Sequence, residues 1–186
     1  MKRILLVMTV ILAVTLGGLA QQAADKADEQ GSMKNCPMHE QHQAASSAHD
    51  HAKREMDKRG DRGMGFAQDK TTHHFLLHPD GGAIQVTANS ADDKTSREEI
   101  QMHLRHIAQA FQSGDFNIPM FVHDQTPPGV ATMTKLKDQI HYRYESAENG
   151  GRVVISSANA EAVAAIHEFL KFQITEHQTG DALGVK

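Results

Sequence analysis

The chain has 186 residues, with 19 Lys and Arg against 23 Asp and Glu, and a net charge of −4 with His neutral. That acidic balance argues against nucleic acid or an anionic membrane surface as a partner. The only cysteine, Cys36, leaves no internal disulfide, and the 13 His and 9 Met are the anomaly a functional reading must explain.

Lys2-Arg3, the apolar run Ile4 to Leu16 and the small residues Gly18-Leu19-Ala20 read as a signal peptide over residues 1–20. The run is too short and wrongly flanked for a stable span, so no membrane insertion is expected after cleavage. The protein is therefore expected in the periplasm or outside the cell. Loss of Lys2 and Arg3 makes it more acidic still. A lone thiol there is a reactive group, a metal ligand or an intermolecular partner.

Residues 21–69 are rich in Ala, Gln, Asp, Lys, His and Met and poor in large aliphatics. They bury too little to offset chain entropy and read as a disordered or partly helical arm and linker. The arm holds the run Cys36-Pro37-Met38-His39, followed by His42. Thiolate, thioether and imidazole together suit copper as Cu(I), and zinc to a lesser degree. The run resembles the short heavy-metal-binding segments of bacterial copper-handling proteins, which carry a Cys-Pro-Met-His core.

Residues 70–181 carry most of the Ile, Leu, Val and Phe and form one domain, with 182–186 a tail. Residues 81–115 and 150–181 repeat one pattern. Gly81-Gly82 matches Gly150-Gly151, Val86 matches Ile155, Ile100 matches Ile166, Leu104 matches Leu170, and Gln112 to Asp115 matches Gln178 to Asp181. In each copy an alternating hairpin precedes a helical stripe. Phe75, Leu77, Ile84 and Val86 share the buried face of the first hairpin, and Tyr142, Tyr144, Val153 and Ile155 that of the second. Ile100, Leu104, Ile107 and Phe111 form the first stripe, with Asp93 or Ser96 as cap and Gly114 as stop. Val163, Ile166, Leu170 and Ile174 form the second, with Asn159 as cap and Gly180 as stop. The expected fold is α+β: a duplicated ββα unit in which two helices cover one antiparallel sheet. In the linker 116–138, an edge strand is expected near Ile118 to Val122, before the Pro127-Pro128-Gly129 turn.

A secondary metal site is expected from His73, His74, His103 and His106. His74 and His78 share a strand face about 13 Å apart, too far to chelate one ion. A group from another element is needed, and His103 and His106, three apart on the first helix, are the candidates. His123 is placed in a loop with Asp124 beside it. His141 is assigned to an exposed strand face and His167 to a solvated helix flank. His177 matches Phe111 and reads as a satisfied histidine at a helix end. His73, His74, His78, His103 and His106 of copy one match Tyr142, Arg143, Ala147, Phe169 and Phe172 of copy two, so specialised chemistry is expected on copy one.

The run Asp57 to Phe66, Thr71 to Phe75, and the chain from Thr126-Pro127-Pro128-Gly129 to the last helix resemble a group of small exported bacterial proteins. Some of these carry the label aspartate carbamoyltransferase. That chemistry needs a Ser-Thr-Arg-Thr-type anion loop, whereas Thr95-Ser96-Arg97 lies in a helix cap. No nucleophile elbow, phosphate loop or haem-attachment motif is present either. The sequence thus points to a periplasmic metal-binding protein that buffers or delivers copper, its expected partners a metal ion and a second envelope metal-handling protein. The alternatives are a small-ligand or haem-binding module in the cleft between hairpins and helices, a hydrolase or isomerase using His74 or His123 as base, and a structural envelope protein.

Overall fold

A computed structural model describes residues 37–185, with side chains described from Asp50 onward. Residues 1–20, expected to be a signal peptide, and Cys36 lie outside the described residues. Met38, His39 and His42 lie in a described helix, but their side chains do not. The chain divides into two units, 1–47 and 48–186. Only helical residues 37–47 of the first are described, and everything below concerns the second.

Helix α1 spans Pro37–Met64, where composition predicts a disordered or partly helical arm. From residue 48 on it belongs to the folded unit. Met56 and Phe66 supply the reason, being 5% and 3% exposed. Arg59 Nε donates to the Val122 carbonyl at 2.8 Å, and Gln68 Nε2 to the Asp57 carbonyl at 2.9 Å. The folded unit therefore begins well before residue 70.

Strands β1 (Thr71–His78) and β2 (Gly81–Ala88) form the first hairpin, followed by helix α2 (Lys94–Ser113). Short helices α3 (Asn117–His123) and α4 (Val130–Lys135) occupy the linker. Strands β3 (His141–Ala147) and β4 (Gly150–Ser156) and helix α5 (Ala160–His177) complete the chain. The four strands form one antiparallel sheet in the order β1-β2-β4-β3. The fold is α+β, with helices packed on the sheet. Among the described residues no helix is long and apolar enough to cross a membrane.

Caps follow local chemistry. Asp93 accepts from the Ser96 backbone N–H at 3.0 Å, and Asn159 from those of Glu161 and Ala162. Gly114 ends α2 in the left-handed region. At α5 the left-handed residue is Gln178, two positions before the expected Gly180. The expected edge strand at 118–122 is α3 instead: Pro119 sits in its first turn, where its missing N–H costs nothing.

The helices do not cover their own hairpins. Helix α2 packs mainly on β3 and β4, and α5 mainly on β1 and β2. The repeated glycines fit where the two hairpins meet. A Cβ on Gly81 would lie 2.2 Å from the Ile155 carbonyl oxygen, and one on Gly150 2.1 Å from that of Val86. The core lies between sheet and helices, where Val86, Ile100, Leu104, Val153, Ile155, Ile166, Phe169 and Leu170 are all at most 1% exposed.

Candidate functional site

Because α5 crosses to the first hairpin, its last turn meets β1. His73 alternates with Phe75 and Leu77 on the core-facing side of β1. His177 is the last residue of α5 and stacks on His73, ring centroids 5.9 Å apart and planes 8° apart. His123 ends α3 and lies 5.1 Å from His177 at 81°. Gln173, one turn before His177, is 4% exposed, and its Oε1 lies 3.0 Å from His123 Nε2. The four side chains line a cavity of about 60 Å³ together with His103, and the rest of its lining is apolar. His73 and His177 also wall a more open cleft of about 770 Å³, lined by Lys53, Asp57, Asp61 and Thr179 among others.

Several polar atoms here lack partners. His73 Nε2, His123 Nδ1 and Gln173 Nε2 are buried with no hydrogen-bond partner among the described residues. Buried orphans of this kind are rare and call for an ion, a water or a ligand. With Gln173 Oε1 accepting from His123 Nε2–H, the His123 Nδ1 carries an unused lone pair.

Burial also sets the charge state. Desolvation, aided by His74, lowers His73 to about 4. Desolvation with His73 and His106 nearby lowers His103 to about 4. Desolvation with His73, His123 and Lys53 nearby lowers His177 to about 3. His123 is lowered by burial against the opposing pull of Gln173 and Glu176. All four rings are neutral at pH 7, the form that donates a lone pair to a metal.

The expected set His73, His74, His103 and His106 is not gathered as one. His74 Nδ1 pairs with Asp181 Oδ1 at 2.9 Å, and Asp181 also accepts from the Phe75 N–H and the Thr179 hydroxyl. His106 is exposed on α2. Phe66 packs on both His73 and His103, at 5.9 and 5.5 Å. Among the described residues no group of three His, Cys, Asp or Glu side chains is disposed to hold a metal ion. His123 is a buried helix-end residue, not a loop residue, and His167, expected on a solvated flank, donates from Nε2 to the His78 carbonyl at 2.9 Å.

Sequence alone leaves Gln173 unmarked and gives His177 only the role of a satisfied helix-end histidine, although the repeated pattern sets both apart. They stand where copy one has Phe111 and Ile107, and His73 stands where copy two has Tyr142. In the structure Phe111 packs on Tyr142 at 5.8 Å, and His177 on His73 at 5.9 Å. Corresponding positions thus hold Phe, Tyr and Ile in one slot and His, His and Gln in the other, and Ile107 and Phe111 also line the histidine cavity. The specialised slot draws on both copies, because α5 brings residues of copy two to the first hairpin. No family model, curated protein or solved structure matches the chain.

Proposed function

We propose that this protein binds copper in the cell envelope, buffering or delivering it. One observation carries the reading: His73, His123 and His177 gather at one cavity as neutral imidazoles, and His73 Nε2 and His123 Nδ1 are buried without partners. Hydrogen bonding His123 through one nitrogen so that the other is free is how proteins orient a ligand imidazole. In this proposal Cys36, Met38, His39 and His42 capture the ion as a soft-ligand arm, and the signal peptide places the chain in the periplasm or outside the cell.

The inner cavity, at about 60 Å³, lies far below the roughly 300–1,000 Å³ of sites for larger ligands, so a haem or other small ligand would have to occupy the outer cleft of about 770 Å³ that His73 and His177 wall. A general base at His123 is disfavoured by its burial at 1% side-chain exposure, whereas His74 pairs through Nδ1 with Asp181 and so has the neighbouring acid that a base there needs. The test is titration of the mature protein with Cu(I), Cu(II) and Zn(II), followed by calorimetry or chelator competition. Binding tighter than about 10 μM for at least one ion is expected, and weaker binding for all three sinks the reading.

A further inference from the structure

We propose that residues 178–181 form a latch that closes the outer cleft over His73 and His177, and that the Asp181 carboxylate holds it shut. The latch depends on the walls of the cleft alone, and it operates whichever solute the imidazoles take.

The latch starts where α5 ends. Gln178 and Gly180 are both left-handed, at φ 53° and 74°, and the chain turns sharply away from the helix axis. Thr179, between them, lines the cleft beside His73 and His177. The Thr179 N–H reaches the Ile174 carbonyl at 3.3 Å. Beyond it, no backbone–backbone hydrogen bond joins the segment to the rest of the described residues. Asp181 supplies the attachment instead. Its carboxylate accepts from the Phe75 N–H at 2.9 Å and the Thr179 hydroxyl at 2.7 Å, and pairs with His74 Nδ1 at 2.9 Å. Two of these three contacts are to β1, an edge strand whose outward N–H groups need partners. The Asp181 side chain is 12% exposed, whereas Gln178, Gly180 and residues 182–185 are exposed. One side chain thus pins an otherwise exposed segment.

The other copy of the repeat uses the same turn differently. Gln112-Ser113-Gly114-Asp115 ends α2 as Gln178-Thr179-Gly180-Asp181 ends α5. Gly114 is packed, since a Cβ there would lie 3.2 Å from the Lys137 side chain. Asp115 accepts from the Asn117 N–H at 2.8 Å, and the chain runs straight on into α3. A Cβ on Gly180 would meet nothing within 4 Å. One turn is built into the linker, and the other stands free apart from its carboxylate. A segment with few buried contacts and a single anchor opens at lower free energy than the fold as a whole. His73 and His177 wall both the outer cleft and the inner cavity. Release of Asp181 moves Thr179 off the cleft, and the latch therefore sets how fast a solute reaches these imidazoles.

The probe is diethyl pyrocarbonate, which transfers an ethoxycarbonyl group to a neutral imidazole nitrogen. Mass spectrometry of the mature protein at pH 7 gives the rate at each histidine. His106, exposed on α2, is the internal reference. Asp181→Ala should raise the rate at His177 by at least about 10-fold and leave His106 within about 2-fold. Thr179→Val removes one of the three donors and should raise it by about 2- to 5-fold. Circular dichroism confirms that each variant is folded. If Asp181→Ala unfolds, the wild-type protein decides. Its Phe75 N–H, held by Asp181, should exchange through an opening that responds little to urea below the unfolding midpoint. Acylation of His177 should follow the same urea dependence. Equal His177 rates in wild type and a folded Asp181→Ala overturn the latch. So does a Phe75 N–H that exchanges only with the central amides of β2 and β4. Neither readout uses a metal, so failure of the copper titration leaves the latch standing, and failure of the latch leaves metal binding standing.

Discussion

Acidification from pH 7.5 to 5 should destabilise this protein long before its carboxylates protonate. His73, His103 and His177 have ordinary values near 6.5 when unfolded and about 4, 4 and 3 when folded. The folded values lie below the unfolded ones, so the unfolded chain takes up protons first as pH falls. Stability is therefore fully present above about pH 6.5 and declines toward the folded values. Linkage gives a loss of about 1.4 kcal/mol per pH unit for each ring charged only in the unfolded state, or about 2 kcal/mol per ring by pH 5. Three rings sum to about 6 kcal/mol. Each keeps some surface, and screening by solvent reduces the expected loss to about 3 kcal/mol. That is a large share of the roughly 5–15 kcal/mol typical of a domain. Asp181 acts elsewhere on the pH axis. Its hydrogen bonds from Thr179, Phe75 and His74 outweigh a desolvation penalty that is its largest single influence, so its folded value is lowered and its contribution is lost only below the carboxylate range. Urea unfolding followed by far-ultraviolet circular dichroism at pH 7.5, 6.5, 5.5 and 5.0 measures the slope. A stability at pH 5 within about 0.5 kcal/mol of that at pH 7.5 would refute the reasoning, and His177→Phe should flatten the curve by about a third.

Three further substitutions test the frame around the pocket. Gly129→Ala should cost at least about 2 kcal/mol in urea unfolding, because Gly129 has φ 82° and its Cβ would lie 2.1 Å from the Ala165 carbonyl oxygen. Asn159→Ala removes the α5 cap and should lower stability by about 1 kcal/mol, read as a shift in urea midpoint at unchanged slope. Asp181→Asn should loosen residues 178–181 from β1, since Asp181 joins His74, the Phe75 N–H and Thr179. Faster amide exchange at Phe75 and in the last residues, with the centre of the sheet unchanged, is the expected signature.

The local order was legible because each segment needs little more than its own residues. Alternation at 71–78 and 81–88, the spacing of Ile100, Leu104, Ile107 and Phe111, and the caps Asp93 and Asn159 each state a local preference that the structure keeps. Tertiary partners carried the rest. Nothing in the pattern of α2 says which hairpin it covers, since both present an apolar face of similar width. The last part of α1 reads as polar because only Met56 and a few small residues face inward. Residues 118–122 are an unbroken apolar run that reads as an edge strand, but Pro119 fits the first turn of a helix and the Val122 carbonyl accepts from Arg59. His177 looked like a helix-end residue meeting the dipole, a role for a charged ring, whereas burial against His73 and His123 keeps it neutral.

The exchange of helices between hairpins links fold to chemistry. Were α5 packed on its own hairpin, His177 and Gln173 would face Tyr142 and Tyr144, and His73 would face Phe111. The histidines would then be spread over two apolar slots, each a buried polar defect with no shared partner. The crossing gathers His73, Gln173 and His177 at one end and leaves Phe111, Phe116, Tyr142 and Phe169 to pack together at the other. One slot is mainly aromatic, although the hydroxyls of Tyr142 and Tyr144 there are also buried without partners. The other gives up that packing, holds its imidazoles neutral and leaves two of their nitrogens unpartnered. A slot that gains a hydrophobic filling in one half and forgoes it in the corresponding half is where a ligand should be sought, and the His73→Tyr, Gln173→Ile and His177→Phe triple variant puts this to the test. It should be more stable than wild type at pH 5 and bind no metal in the folded unit. A triple variant less stable at pH 5 would show that the histidines serve packing.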